Sequence, residues 1–392
     1  MNIKKTIKAK DCPICSKNSF EELIDFGEIP FSDSLSENSF QQPKKTKLSF
    51  EYCLKCAFIR QKFPTKHNYV KDERITKHLV PVYTPEIVGY FKNKIRINDL
   101  IVEIGCNDGS FLDEFSKAGF NNLLGIEPSY ISSNICKSKG HKIENIYFNK
   151  NEAVKIKEKY GSAKVIIGRY VLEHILDPKN FINSVKKLLS EDGHFFIEVP
   201  DVNNIIYSLR AQDLWDEHLN HFTIKNLEKL INETGFETNK ILTESLASTN
   251  AILLWGSKKK EFSKRYEFSF QTDINACKNF KKNWQELCQN LLEKIKESKK
   301  PIISIGASHP QTNFLIFSGI GNYISNLIDD SPNKINKYVF VPKPIQIIST
   351  KEFLESKFSG TIIRTAFGYD NWMDKICKSV SKEIEIIYPY YK

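Results

Sequence analysis

The stretch DLIVEIGCNDGSFL, residues 99–112, limits what this chain can fold into more than any other. An apolar strand, LIVEIG, runs into a turn that holds Gly105 and Gly109, and the turn opens a helix, SFLDEFSKAG. Glycine at such a turn allows close backbone approach and unusual dihedrals. A second strand, NLLGIEPS, ends in Glu127, 22 residues beyond Gly105. An acid at that place commonly binds ribose hydroxyls. The unit is a nucleotide-type strand–turn–helix.

The turn also indicates which nucleotide. The glycines do not follow GxGxxG, and no arginine follows the second strand to hold a 2′-phosphate. Acids stand at Glu103 on the strand and Asp108 in the turn. S-adenosylmethionine (SAM) carries no pyrophosphate and has a positive sulfonium, so acids are tolerated beside it. The pattern favours SAM over a dinucleotide. The candidate cofactor residues are Glu103, Gly105, Asn107, Asp108, Gly109 and Glu127, with Glu103 and Asp108 open to either a direct contact or a loop-stabilising role.

The elements that follow extend the alternation. AKVIIGRYVLEHILDP gives a strand over Val165–Ile167 and then a helix-like stretch that carries His174 and ends at Pro178. NFINSVKKLLS has apolar residues at helical spacing, and GHFFIEVP is a further strand after Gly193. This βα alternation predicts a doubly wound parallel sheet to about residue 245. Ligands of such sheets bind beyond the carboxyl ends of the strands. DLWDEHLNHFT, residues 213–223, follows the FFIEVP strand and so falls at that rim. The chain has 8 histidines, and two are in this segment. Four readings of it stay open: a metal site in which Glu217, His218 and His221 converge on a helix, a polar cap or solvated turn, a set of substrate contacts, or a catalytic base at His218. His174 is either catalytic or satisfies a backbone group.

Two CxxC pairs, Cys12–Cys15 and Cys53–Cys56, flank the N-terminal region. Together they can close a tetrahedral sulfur cage around zinc with no position left for water, which makes the metal structural. Such a cage lets a short, loop-rich segment fold without a large core. The segment between the pairs, ELIDFGEIPFSDSLSENSF, carries acids and no Lys or Arg, so it would repel a phosphate backbone, and no nucleic-acid partner is expected. The net charge of +10 suits a phosphate-bearing partner such as a nucleotide and would equally suit nucleic acid, so charge alone does not decide between them. The other cysteines, Cys106, Cys136, Cys277, Cys288 and Cys377, are scattered, and an odd total of 9 argues against a disulfide framework. A reducing cytoplasm is the expected location. The basic start lacks an apolar core behind it, and no apolar run approaches a membrane span, so neither export nor a membrane partner is expected.

A second glycine turn comes late. Residues 274–299 look helical, PIISIGASHPQ repeats the strand-into-turn pattern at Gly306, and ISNLIDD places Asp329 23 residues further on. Two nucleotide folds in one chain suggest two nucleotide-bearing ligands, the donor in one and an activated acceptor in the other. A purely structural cap is the alternative.

In order, the chain reads CPIC…CLKC, DFGEIPFSDSL between the pairs, IVEIGCNDGSFL, YVLEHILDP, FFIEVP, DEHLNHFT and a late IGAS…DDSPNK. Over nearly its whole length it resembles the sugar C-methyltransferases, which methylate keto deoxysugars carried on thymidine diphosphate. The resemblance implies an α/β protein with a zinc-binding domain over 1–75, a class I methyltransferase core binding SAM over 76–245, and a C-terminal Rossmann-like domain over 246–392 that helps hold the nucleotide sugar. It implies His218 as the base that removes the proton beside the ketone, Glu217 as its neighbour and His174 as a further active-site histidine. No metal is needed for that step. The acceptor side departs from the family pattern. Trp215 stands in place of a tyrosine, Asp216 in place of a histidine, SLASTNAILL lacks a glycine-serine-arginine stretch, and His309, Pro310 and Gln311 replace alanine-lysine-glycine. Trp215, His309 and Gln311 are therefore candidate acceptor contacts, and the methylated atom stays open between carbon, nitrogen and oxygen. A binding protein that kept the fold without the chemistry is the alternative of another class. A monomer or weak homo-oligomer is expected.

Overall fold

Three sheets, of 4, 7 and 6 strands, organise the chain. The computed structural model describes residues 11–32, 34–65, 67–71, 80–246, 249–259, 267–380 and 384–390. The first sheet begins as an antiparallel meander of β1 (Phe20–Pro30), β2 (Lys45–Cys53) and β3 (Ile59–Gln61). Its small core includes Leu23, Ile29, Phe50, Tyr52 and Phe58.

The central domain opens with α1 (Thr84–Lys92) and then alternates: β4 (Ile101–Ile104), α2 (Ser110–Lys117), β5 (Leu123–Ile126), α3 (Tyr130–Ser138), β6 (Lys142–Glu144), α4 (Lys150–Tyr160), β7 (Ala163–Arg169), α5 (Pro178–Leu188) and β8 (Leu189–Pro200). All four residues of β4 and of β5 are buried, because helices cover both faces of a parallel sheet. After the short α6 (Val202–Tyr207) the chain leaves this domain. The two-residue strand β9 (Asn220–His221) pairs with β3, so it completes the N-terminal sheet from 160 residues away in sequence. The chain returns through α7 (Ile224–Glu233), β10 (Phe236–Leu246) and β11 (Thr249–Lys258). The strand order is β10-β11-β8-β7-β4-β5-β6, with β11 antiparallel to β8 and β10. The doubly wound sheet expected from the alternation is present.

Two expectations are corrected here. The central sheet does not stop at residue 245, because β11 runs from Thr249 to Lys258 and pairs along β8. SLASTNAILL therefore carries the end of β10 and the start of β11, and its residues 247 and 248 lie outside the described residues. Pro178 does not end a helix but begins one. Asp177 accepts from the amide of Asn180 at 2.9 Å as the N-cap, and proline fits the first helical position because its missing N–H has no helical partner there. His174 sits before this, in a single 3₁₀ turn over Leu172–His174.

The long α8 (Gln271–Glu297) leads into the third sheet: β12 (Ile302–Ile305), α9 (His309–Phe317), β13 (Ile324–Ile328), β14 (Tyr338–Phe340), β15 (Pro344–Ile348), α10 (Thr350–Glu355), β16 (Thr361–Arg364), α11 (Asp370–Ser379) and β17 (Glu385–Ile387). Its order is β14-β15-β13-β12-β16-β17, parallel except for the edge strand β14. Among the described residues no helix is long and apolar enough to cross a membrane.

Candidate active site

At the carboxyl end of β4 the glycine turn forms a crevice of about 380 Å³ lined by Glu103, Gly105, Cys106, Asn107, Asp108 and Arg169, among others. Gly105 and Gly109 take φ of +72° and +77°. A Cβ on Gly105 would lie 2.5 Å from Val171 Cγ2, and one on Gly109 2.7 Å from Cys136 Sγ, so only glycine fits at both. Glu127, at the tip of β5, accepts from the amides of Asn107 at 3.0 Å and Ser129 at 2.8 Å. It ties the turn to the second strand, and a carboxylate has further lone pairs for a ribose. Asp108 accepts from the amide and hydroxyl of Ser110 at 3.1 and 2.7 Å and from Lys139 at 3.1 Å. Burial acts to raise its pKa, but these partners outweigh it and hold the group ionised and occupied with the loop. Glu103 is different. It is buried, and its Oε2 has no hydrogen-bond partner among the described residues. Burial raises its pKa well above the usual range, against the pull of Arg169. Arg169 is itself bound to Glu198 at 2.5 Å. A cation entering the crevice would find an unmatched carboxyl waiting for it.

The segment 213–223 is not a helix. It makes a turn at Trp215–His218, then the strand β9, and ends at Thr223, which caps α7 by exchanging hydrogen bonds with Asn226. Glu217, His218 and His221 therefore do not line one helix face, and the metal reading built on that geometry fails. His221 packs edge-on to Phe50 at 5.3 Å between centroids and lies 5.9 Å from the His218 ring, and burial lowers its pKa to about 3. His218 instead faces His174, with ring centroids 4.9 Å apart. Trp215 stands between His218 and His309, at 4.6 and 4.5 Å. Burial, then His174, His221 and His309, lower the His218 pKa well below its ordinary value, so the ring is neutral at physiological pH. His174 Nδ1 lies 2.9 Å from the carbonyl of Glu217. A carbonyl can only accept, so that nitrogen carries the proton. Gln311 is buried and packs on Gly306, with its Cγ 3.0 Å from where a Cβ would be, rather than joining the Trp215 stack.

Side chains from the segments of all three sheets close around this cluster. Gln61 Nε2 lies 3.0, 2.7 and 3.1 Å from the carbonyls of Trp215, Asp216 and His218, which pins the turn to β3. The Ser32 hydroxyl donates to Asp216 and lies 3.1 Å from His309 Nε2. His67 Nε2 is 3.1 Å from the carbonyl of Asp216, and the Tyr69 hydroxyl is 3.0 Å from His174 Nδ1. Burial raises the pKa of Asp216 to about 6, an effect that His67 opposes.

The four N-terminal cysteines bring their sulfurs within 4.8 Å of one another, with Cys12–Cys56 and Cys15–Cys53 each at 3.5 Å and none in a disulfide. Tetrahedral zinc with Zn–S bonds of about 2.3 Å needs sulfurs roughly 3.8 Å apart, so the set fits that ion. Neighbouring sulfurs push the thiols of Cys12 and Cys56 up while Cys53 is held down, which is the conflict a central cation removes. In the third sheet, Gly306 (φ +102°) precedes Ala307, whose amide donates to Asp329 at 3.1 Å. Lys334 reaches Asp329 at 3.4 Å and the Ala307 carbonyl at 3.1 Å. A crevice of about 420 Å³ beside it is lined by residues that include Phe31, His309, Asn313 and Lys334.

A family model described as a methyltransferase domain matches residues 83–241, the span that holds the glycine crevice and the histidines. This part of the chain is similar to a methyltransferase domain and is laid out on the doubly wound sheet. The chain is also similar to the C-methyltransferase NovU of Streptomyces niveus, with 23% identity over 256 residues. That likeness takes in 62% of this chain and 60% of the length of NovU. Two solved structures also match, each over 45% of the chain. Magnesium protoporphyrin IX methyltransferase from Synechocystis with bound SAM is 12% identical, with 78% of that chain covered and a TM-score of 0.35. A SAM-dependent methyltransferase from Anabaena variabilis is 15% identical, with 83% covered and a TM-score of 0.38.

Several residues around the methyltransferase domain's site escape a reading of the sequence. Glu173 is the most consequential. It is 1% exposed, neither carboxyl oxygen has a partner among the described residues, and burial raises its pKa to about 8. One ligand atom each from Glu173, His174 and His218 lie within 4.8 Å of one another. Standing next to His174, Glu173 could have been singled out as the acid in LEH. Ser32, Gln61, His67 and Tyr69 reach the site from the other domain, and only the scarcity of histidine marked His67.

Proposed function

We propose that this chain transfers the methyl group of SAM to the carbon beside the ketone of a nucleotide-activated keto deoxysugar. The observation that carries this reading is the neutral His218, held against His174 and Trp215 at the seam of three domains. The seam adjoins the donor crevice. Val171 packs on Gly105, and two residues on, the Glu173 carbonyl accepts from the amide of Leu219, next to His218. A proton beside a carbonyl is removed by a base whose unprotonated form is populated at working pH, and a neutral imidazole meets that need. His218 takes the proton. Negative charge then builds on the ketone oxygen and calls for hydrogen-bond donors. The Tyr69 hydroxyl, 3.0 Å from His174 Nδ1, and the Glu173 carboxyl, neutral below about pH 8 and within 4.8 Å of both histidines, can supply them.

Glu103, Glu127 and the turn Gly105–Gly109 hold SAM, with Glu103 matched to its positive charge. When bound, SAM supplies an electrophilic methyl group. Cys12, Cys15, Cys53 and Cys56 hold a structural zinc that keeps β2 and β3, and through Gln61 the His218 turn, in place. The third sheet contributes His309 and the Lys334 crevice to the nucleotide portion of the acceptor. Similarity to a C-methyltransferase supports carbon as the methylated atom. The sugar rests on the family resemblance of the sequence.

The test is methyl transfer from labelled SAM to a panel of nucleotide-linked keto deoxysugars, with the new methyl located by NMR. In D2O without SAM, the parent protein should also exchange the proton beside the ketone, and His218→Ala should not. A methyl found on oxygen or nitrogen, or exchange at full rate in His218→Ala, overturns the reading.

A further inference from the structure

Two thiols with no part in the zinc knot or the proposed chemistry lie under the glycine turn. Cys106 belongs to the turn and lines the donor crevice. Cys136 sits in the last two turns of α3. Both are buried, and their sulfurs are 4.0 Å apart, with the Cys106 thiol donating to Cys136. The packing leaves little slack: a Cβ on Gly109 would meet Cys136 Sγ at 2.7 Å, and one on Gly125 would meet Cys106 Sγ at 2.5 Å. Lys139, one turn beyond Cys136, places a cation beside this end of the helix, where it bonds Asp108 and Asp113 at 3.1 and 3.3 Å.

We propose that Cys106 and Cys136 are an oxidation site that forms a reversible disulfide with peroxide and so closes the donor crevice. The roles follow from the geometry. Cys136 accepts the Cys106 thiol hydrogen bond, so it is the more thiolate-like sulfur and the one that attacks. It attacks one peroxide oxygen, the O–O bond breaks, and the departing hydroxide takes a proton to become water. The product is a sulfenic acid at Cys136. The Cys106 thiol then attacks that sulfur, the S–O bond breaks, the S–S bond forms, and a second water leaves with the thiol proton. In sum, two thiols are oxidised and one peroxide is reduced to two waters. The crevice brings a small oxidant to Cys106, with Cys136 buried 4.0 Å behind it. A ligand in the crevice stands in that path.

Forming the bond requires the sulfurs to close by about 2 Å, to roughly 2.05 Å. Cys136 already lies against Gly109, so α3 cannot supply that movement by advancing on the turn. The turn must tilt instead, and the amide of Asn107 is drawn off Glu127, which it now meets at 3.0 Å. The consequence for SAM rests on the donor reading above, whereas the disulfide does not.

The experiment uses the full, zinc-loaded protein treated with graded hydrogen peroxide, with and without SAM. Alkylation and peptide mass mapping follow the Cys106–Cys136 cross-link, and calorimetry follows SAM affinity before oxidation, after it and after dithiothreitol. The linked peptide should appear, SAM should protect against it, the SAM Kd should rise by roughly tenfold or more, and reduction should restore it. Cys136→Ser and Cys136→Ala should bind SAM like the parent and keep that affinity after peroxide. Absence of the linked peptide while other thiols are consumed overturns the proposal. So does an unchanged Kd in the cross-linked protein, or equal loss of SAM binding in Cys136→Ser, which would point to the zinc knot. If the untreated parent binds no SAM, the donor reading fails, and the linked peptide alone decides the disulfide.

Discussion

The donor crevice and the histidine seam adjoin each other but are built in different ways. In the crevice, the bonds that shape the turn are local: Asn107 to Glu127 spans 20 residues, and Ser129 to Glu127 and Ser110 to Asp108 span 2. In the seam they are long. Ser32 meets Asp216 across 184 residues and His309 across 277, and Gln61 meets the turn across about 155. The chemistry differs too. The crevice is a cluster of acids with one unmatched carboxyl, while the seam gathers histidines around His218, whose pKa burial lowers. The difference implies that donor binding and acceptor chemistry can be damaged separately. It also suggests that the acceptor can change between related chains without disturbing the methyl donor.

The strongest test of that separation is His218→Ala. Loss of a positioned base costs about 10²–10⁴ in rate. Methyl transfer should fall by that amount, while the SAM Kd measured by calorimetry stays within about twofold of the parent. A parallel loss of SAM affinity would show that the two regions are one unit. The parent's pH–rate profile carries the same information. A depressed His218 pKa keeps the ring unprotonated at neutral pH, so the acid limb of kcat/KM should fall below pH 6.5 rather than at it.

Next comes the pair of buried acids, one in each region. Burial pushes the Glu173 carboxyl up to about 8 from an ordinary 4.5. Between these values the unfolded chain holds fewer protons than the folded one, so stability contributed by this group is lost as pH rises from 4.5 to about 8 and is constant above that. Glu173→Gln removes the slope. Urea unfolding should find the variant and parent equal near pH 5 and the variant more stable at pH 9, by an amount on the order of 3 kcal/mol. A difference independent of pH would mean that the carboxyl is not held neutral. In the crevice, Glu103→Gln should weaken SAM by roughly tenfold, the scale of one charge-assisted hydrogen bond. If instead Glu103→Gln shifts the rate and not the affinity, the assignment of the two acids must be exchanged.

The same contrast explains what could be read before the fold was known. The glycine turn, Glu127 and the alternation to FFIEVP are signals of local period and spacing, and local bonds made them. The CxxC pairs are legible for the same reason, since each places two sulfurs on one tight turn. The seam had no such signal. DLWDEHLNHFT looks helical because its histidines are three apart, yet β3 draws Asn220 and His221 into a strand of another sheet. A pairing partner so far away in sequence overrides local propensity. Pro178 is ambiguous in sequence because proline both ends and begins helices, and the deciding residue, Asp177, is common in either place. Ser32 and Tyr69 belong to no motif at all. Their role exists only where three domains meet.

The smallest expected effect sits at that meeting point. Ser32 donates to Asp216 and lies against His309, so it joins all three domains through one hydroxyl. Asp216 is buried and its pKa is raised to about 6, so it is largely ionised at pH 7.5 and depends on its donors. Removing one donor to a charged, buried acceptor costs about 1–3 kcal/mol when nothing replaces it, and His67, 3.8 Å from the same carboxylate, replaces part of it. Ser32→Ala should therefore raise the acceptor KM several-fold, leave kcat and the SAM Kd close to the parent, and show its largest defect above pH 6, where Asp216 carries charge. Steady-state kinetics at pH 5.5 and 7.5 give the answer. An equal defect at both values would assign Ser32 to a direct acceptor contact, and a defect in SAM binding would mean that the N-terminal domain reaches across the seam into the donor crevice.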